Sequence, residues 1–213
     1  MKFPYCTIDL ECLDTLPTAV ITSIAVVFFD LKGNREQYAV NIDIESSMSY
    51  PELTIGADTL KWWFKQSKDS QNAMLDNPLA LHSALTAVAH FIKEHRGNKF
   101  TCWTHATFDA PILQYNCYVA DVHIPIHFRE HRDIRTLTWL NRNNFVKLAP
   151  PPSSIAHNAL HDALHQADYI SALLVNIQPK SPVPPEVVTE TIMPYPPYKI
   201  LKPEKPEFTV VTT

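Results

Sequence analysis

Two acidic residues, Asp9 and Glu11, stand two positions apart in the string Ile8-Asp9-Leu10-Glu11, at the end of a short apolar run. If this run forms a β-strand, side chains two positions apart point to the same face, so the two carboxylates lie side by side. No Lys or Arg separates them, and like charges this close repel unless a cation neutralises them. Mg²⁺ and Mn²⁺ prefer oxygen ligands, so the pair indicates a metal site, although strand ends also carry acids merely because they are solvated.

Two further acids could complete such a site. Asp109 follows a predicted strand, at the C-terminal sheet edge where sites gather in α/β folds. Asp162 lies in the last predicted helix, five residues after His157, and in an ideal helix these two side chains would point about 140° apart. If His157 precedes the first turn, it can face the same cleft. For each acid, a buried neutral carboxyl or an exposed helix-surface acid is the alternative.

The elements that must position these residues follow from hydrophobic patterning. Apolar runs predict consecutive strands at residues 5–10, 19–29 and 37–42, a fourth strand at 100–104 and a fifth at 124–128. Helical spacing predicts a helix capped by Asp58, another from Leu81 to a stop at Gly97, and further helices at 111–119, 133–140 and 157–175. Strands followed by alternating helices and strands predict an α/β fold.

Composition excludes several classes of protein. The chain has 213 residues, a net charge of −4 and three glycines, so neither a wrapping basic nucleic-acid binder nor a glycine-rich phosphate loop is indicated. The four cysteines lack Cys-x-x-Cys spacing, which argues against a zinc ribbon or a disulfide scaffold. No signal segment and no membrane span is apparent, so we expect a soluble, cytoplasmic protein.

The C-terminal segment differs from the rest of the chain. Residues 178–213 hold many prolines and no glycine, which favours an extended polyproline II tail over a packed core. We therefore expect a folded domain at residues 1–177 and a Pro-rich tail or linker at 178–213. Three Pro-x-x-Pro spacings in the tail could dock a protein partner, but a semi-rigid spacer is the favoured interpretation.

Taken in order, three acidic motifs resemble those of the DEDD (RNase T/DnaQ-like) exonuclease superfamily, in its histidine-bearing DEDDh branch. The motifs are Asp9-x-Glu11, His105-Ala-Thr-Phe108-Asp109 and His157-x-x-x-x-Asp162. Longer strings around residues 8–15, 60–67, 132–137 and 157–163 resemble more narrowly the phage exonuclease DexA and its exoribonuclease-like relatives. The resemblance covers about residues 5–177 and implies an RNase H-like fold, with a mixed five-stranded sheet flanked by helices.

The resemblance also implies an activity. Asp9, Glu11, Asp109 and Asp162 would hold two divalent metal ions, Mg²⁺ or Mn²⁺, and His157 would take the proton from the attacking water. The expected reaction is hydrolysis of single-stranded RNA or DNA from a free 3′ end to 5′-mononucleotides, and the sequence does not decide between the two substrates.

Two alternatives stay open beside catalysis. An exonuclease-like domain could bind 3′ ends, or recruit a partner through the tail, without cutting. The His161-Asp162 pair superficially resembles the HD phosphohydrolases, but these need an all-helical domain, which the predicted strands oppose.

Six residues are candidates for binding substrate. The family motif usually has Asn where His105 stands; an imidazole still donates one hydrogen bond, so we expect altered substrate positioning rather than a lost site. Among Trp62, Trp63 and Phe64 at least one must be core, and one could stack on a base. The candidates are Leu10, Trp63, His105, Phe108, Arg132 and Arg135. For the two arginines, ion pairing with Asp133 is the alternative.

Expected partners follow from the same resemblance. We expect a single-stranded nucleic acid with a free 3′ end and no membrane. A homodimer is a further expectation, since two-fold pairs are the commonest assembly. The location would be the host cytoplasm if the gene belongs to a phage.

Overall fold

The computed structural model describes residues 1–142 and 148–177, which form an α/β fold around one mixed sheet. The five strands, in the spatial order β3-β2-β1-β4-β5, are β1 Phe3–Cys12, β2 Ile21–Phe29, β3 Arg35–Asn41, β4 Arg96–Thr104 and β5 His131–Asp133. β1, β2 and β3 pair antiparallel, whereas β4 and β5 run parallel to β1. The predicted mixed five-stranded sheet flanked by helices is confirmed.

The helices lie on both faces of the sheet. They are α1 Ile44–Met48, α2 Ala57–Trp63, α3 Lys68–Ala73, α4 Leu81–His95, α5 Asp109–Val119, α6 Ile134–Leu140 and α7 Ala159–Ile177. Asp133 caps α6, since its carboxylate accepts a hydrogen bond from the Thr136 backbone N–H at 2.8 Å. No helix among the described residues is long and apolar enough to cross a membrane.

β1 lies in the middle of the sheet, so its alternate side chains enter two different layers. Ile8 and Leu10 belong to the larger core, together with residues of α4 and α5. On the opposite face α7 packs against β1 and β2. The small buried residues Ala163 and Ala167 of α7 allow this close packing. As a result, side chains near the end of β1 are confined on every side.

Two predicted features are wrong. The fifth strand is not residues 124–128, because Pro125 lacks an N–H and its carbonyl accepts a hydrogen bond from Arg96 instead of joining a ladder. The strand is His131–Asp133, a short polar edge strand beside β4. Asp58 is not the cap of α2 either; Gly56 holds that position, and Asp58 pairs with Lys61 at 3.0 Å in the first turn.

Other predicted boundaries differ by a few residues. β4 begins at Arg96 rather than at Phe100, and α7 begins at Ala159 rather than at His157. The four cysteines are buried and free, as expected for reduced thiols. The predicted Pro-rich tail, residues 178–213, lies outside the described residues.

Candidate active site

Asp9 and Glu11 lie near the end of β1 on the face that α7 covers. Each side chain is only 8% exposed. Their cross-strand neighbours on β2 are the small residues Ala25 and Ser23, which leave room for the carboxylates. The strand alternation therefore holds both acids in one confined volume, as the spacing predicts.

Asp109 joins them from the neighbouring strand connection. It is the first residue of α5, shortly after β4, and it is 2% exposed. Its Oδ2 accepts a hydrogen bond from the His105 backbone N–H at 2.8 Å, and the Leu10 backbone N–H is a further donor. Because β4 runs parallel to β1, the C-terminal edge of the sheet brings Asp109 beside Asp9 and Glu11.

Asp162 and His157 come from the start of α7. His157 precedes the helix with a positive φ of 58°, a left-handed conformation that few residues other than glycine adopt. The Asn158 side chain then accepts a hydrogen bond from the His161 N–H at 3.1 Å, the geometry of a helix N-cap. Because His157 stands outside the helix, it reaches the same place as Asp162: ligand atoms of Glu11, His157 and Asp162 all lie within 4.8 Å of one another.

Burial raises the pKa values of all four acids, and for Asp9 and Glu11 the neighbouring carboxylates raise them further. Burial, and then the charges of Asp162 and Asp109, raises the pKa of Glu11 to about 8. Burial also raises the pKa of Asp109 to about 7, although backbone N–H donors and Arg135 oppose the rise. The pKa of Asp9 is raised well above its ordinary value by burial and by the other three carboxylates. The pKa of Asp162 is raised as well, mainly by burial.

Four acids with raised pKa values are the kind of cluster that a bound cation would stabilise. The ion pairs in the described part of the chain involve none of these four acids. Their oxygen atoms are the ligands that Mg²⁺ and Mn²⁺ prefer, and a bound cation would favour the ionised carboxylates that burial disfavours. The donor set therefore fits a hard divalent metal.

Gln166 is a site residue that sequence reasoning missed. Its side chain is 6% exposed, donates to Asp9 Oδ1 at 2.6 Å and accepts from the Thr7 hydroxyl at 2.7 Å. The bond from Gln166 to Asp9 partly opposes the rise in the pKa of Asp9, and it fixes the orientation of that carboxylate. The available signal was the spacing, since Gln166 lies four residues after Asp162 and thus on the same helix face.

A cleft of about 630 Å³ opens beside Glu11. Leu10 and Phe108 line it, as does Trp62, whose ring lies in edge contact with His157 at 4.6 Å between centroids. Trp62 is 41% exposed, whereas Trp63 is 2% exposed and donates its indole N–H to the Cys12 carbonyl at 2.9 Å. Trp63, the predicted stacking residue, is therefore buried, and Trp62 is the tryptophan of this pair with an exposed ring.

The two predicted arginines differ in their surroundings. Arg132 donates to the carbonyls of Arg129 and His131 at 2.8 and 2.7 Å, so its guanidinium is engaged by its own segment. Arg135 is exposed on α6, and its charge lowers the pKa of both Asp109 and His105. The ion pairs of the described residues do not join either arginine to Asp133. Arg135 is thus the cation nearer to the acids.

His105 lies between these groups. Its pKa is lowered by burial and then by Arg135, which favours the neutral imidazole. Its Nδ1 atom is buried and makes no hydrogen bond within residues 1–142 and 148–177. The backbone of His105 holds Asp109, whereas its ring keeps an unused hydrogen-bonding atom.

Comparisons with known proteins agree with this geometry. The family model described as 3'-5' exoribonuclease Rv2179c-like domain matches residues 5–174. No curated protein matches the chain. Among solved structures, E. coli Exonuclease I in complex with a 5cy-dA13 oligonucleotide aligns with a TM-score of 0.56 and 10% identity, over 83% of this chain and 41% of that one. The same enzyme in complex with a dA16 oligonucleotide aligns with a TM-score of 0.50 and 11% identity, over 84% and 42%.

These likenesses differ in what they establish. The chain spans about two fifths of the length of the Exonuclease I structures, and at such low identity the likeness shows the fold. The narrower resemblance to the DEDDh branch and to DexA stays a prediction, as does the homodimer. The family match covers most of the chain, and this protein belongs to the 3'-5' exoribonuclease Rv2179c-like domain family.

Proposed function

We propose that this protein hydrolyses single-stranded RNA from the 3′ end and releases 5′-mononucleotides, by DEDDh chemistry with two Mg²⁺ or Mn²⁺ ions. The observation that carries the proposal is the convergence of four carboxylates and His157 at one sheet edge, beside a cleft that opens next to Glu11. The family description, which names an exoribonuclease, supports RNA as the substrate. A non-cutting role would not require all four acids.

Asp9, Glu11, Asp109 and Asp162 are the residues that would hold the ions. When bound, such ions polarise an attacking water and stabilise the leaving 3′ oxygen. Asp9 is oriented for this role by Gln166, and Asp109 by the backbone N–H groups of His105 and Leu10.

His157 is the proposed general base. It lies beside Glu11 and Asp162 but outside the helix, so its ring can approach a water held near these acids. A neutral imidazole nitrogen can accept the proton of that water. The ring of Trp62 packs against the imidazole and restricts its rotation.

The cleft provides the proposed contacts to the terminal nucleotide. Trp62 and Phe108 offer aromatic surface on which an unpaired base can stack, and Leu10 lies between the acids at the cleft wall. Arg135 is placed to meet a phosphate, and the unpartnered Nδ1 of His105 is available for a hydrogen bond to substrate. Arg132 is the weaker candidate because its guanidinium is already bonded.

Digestion of 5′-labelled single-stranded RNA and DNA of the same sequence tests the proposal. We expect a ladder that shortens from the 3′ end, faster on RNA, requiring Mg²⁺ or Mn²⁺ and abolished by EDTA. Asp162→Asn should abolish the ladder, whereas Asp121→Asn, an exposed acid outside the site, should not. Faster DNA hydrolysis would refute the RNA preference, and intact oligomers with every metal would refute the proposed hydrolysis.

A further inference from the structure

The exposed face of α6 carries a cationic and aromatic row. Arg135 and Trp139 are four residues apart and therefore share one helix face. Trp139 is 60% exposed, and the Arg142 guanidinium lies over its ring at 4.4 Å from the centroid. One nitrogen of this guanidinium also donates to the Trp139 carbonyl at 3.0 Å, which holds the cation beside the ring. We call Arg135, Trp139 and Arg142 the Arg–Trp surface.

The Arg–Trp surface carries two positive charges. The sequence from Ile134 to Arg142 contains no Asp or Glu. Arg35 pairs with Asp168 and Arg96 with Glu130, whereas Arg129 and Arg132 are in no ion pair among the described residues. In the described part of the chain, no ion pair involves a member of the Arg–Trp surface. The surface therefore presents positive charge without a paired carboxylate, on a chain whose net charge is −4.

The Arg–Trp surface adjoins the active site at Arg135. Arg135 is close enough to act electrostatically on Asp109 and His105. Trp139 follows one helical turn later, about 6 Å along the axis of α6. Arg142 follows beyond the helix end. A strand whose 3′ nucleotide occupies the cleft could thus continue over Trp139.

We propose that the Arg–Trp surface binds the nucleotides upstream of the 3′ end, with a base stacked on Trp139 and phosphates near Arg135 and Arg142. This inference rests on the proposed function. Aromatic rings between cations are the usual means of holding single strands without sequence preference, because every base has a π-face and every linkage a negative charge. A second copy of this chain in a two-fold arrangement would be a poor occupant, since it would bring the same positive surface.

The test compares a long with a minimal substrate. The quantity is kcat/KM for a 12-nucleotide oligoadenylate RNA divided by kcat/KM for the dinucleotide, in Mg²⁺. For Trp139→Ala we expect this ratio to fall roughly ten-fold, the loss typical of one stacked base. Arg142→Gln should lower the ratio and flatten its dependence on salt. Tyr118→Ala removes an exposed aromatic residue on α5 and should leave the ratio unchanged.

Three outcomes would overturn the proposal. The first is an unchanged ratio in both variants. The second is an equal loss for Tyr118→Ala, which would mean that the effect is not specific to α6. The third is a change in oligomeric state by light scattering on Trp139→Ala, which would assign the surface to a protein interface. If the wild type hydrolyses neither substrate, the proposed function fails. Binding of a fluorescent 12-mer, measured by anisotropy, then still tests the Arg–Trp surface, because the proposal requires weaker binding by Trp139→Ala.

Discussion

Replacing Glu11 by Gln is expected to stabilise the metal-free protein while it removes activity. Burial and the neighbouring acids raise the pKa of Glu11 from 4.5 to about 8. One pKa unit corresponds to about 1.4 kcal/mol, so ionised Glu11 costs the folded state on the order of 4 kcal/mol at pH 8. Gln has nearly the same shape and no charge, and it therefore avoids this cost while it removes a carboxylate ligand.

The pH dependence of the effect follows from linkage. The folded protein holds the Glu11 proton more tightly than the unfolded chain does, so the stability that the proton provides is complete below about pH 4.5 and is lost as the pH rises to about 8. Glu11→Gln should therefore differ little from the wild type at pH 4.5 and most at pH 8. Since 1 kcal/mol moves Tm by about 2–4 °C in a domain of this size, we expect a gain of roughly 8–16 °C at pH 8.

Thermal unfolding followed by circular dichroism in EDTA measures this gain. Glu52→Gln, at an exposed position away from the cleft, is the matched control and should leave Tm unchanged at both pH values. Added Mg²⁺ should raise Tm of the wild type at pH 8 and do so less for Glu11→Gln. A variant that is less stable than the wild type at pH 8, or equally shifted at both pH values, would refute the electrostatic reasoning.

Further substitutions test the roles of single side chains. His157→Ala should lower kcat by at least 100-fold, the usual contribution of a general base, and keep the Mg²⁺-induced rise in Tm; loss of that rise would make His157 a metal-site residue. Trp62→Ala should raise KM for RNA roughly 5- to 100-fold, whereas Phe64→Ala, outside the cleft and 76% exposed, should not. Gln166→Leu removes the bond to Asp9, so half-maximal activity should require about ten-fold more Mg²⁺; an unchanged Mg²⁺ titration would argue against this positioning role.

Hydrophobic patterning predicts the strands and helices that are buried. The segments that form β1 and β2 are rich in apolar and β-branched residues, and α4 shows clear helical spacing of its apolar residues. Because these residues are buried in the core, the apolar pattern alone predicts the three elements. β5 has only three polar residues and owes its pairing to the neighbouring β4, which no local pattern reveals. The helices α1 and α3 are too short to show a periodicity.

The candidate site is predictable where it depends on spacing along one element. Asp9 and Glu11 share a strand face, and Gln166 shares a helix face with Asp162, so both pairs can be predicted from their spacing in the sequence. The contact between Trp62 and His157 joins residues from distant parts of the chain. Trp63, rather than Trp62, is the buried tryptophan, and its indole N–H donates to the Cys12 carbonyl. Such contacts follow from tertiary packing, which the local sequence does not encode.

The rigidity of the site explains why its acids remain together. In a mobile loop, carboxylates that repel one another would turn outward to water, and their pKa values would stay ordinary. Here Asp9 and Glu11 extend from the central strand beneath α7. Gln166 holds the carboxylate of Asp9, and backbone N–H groups hold that of Asp109. Protons or cations are then the remaining means of relieving the repulsion. The same confinement fits the proposed divalent-metal site, because a bound cation would relieve the repulsion that helps to raise the pKa values of Asp9 and Glu11.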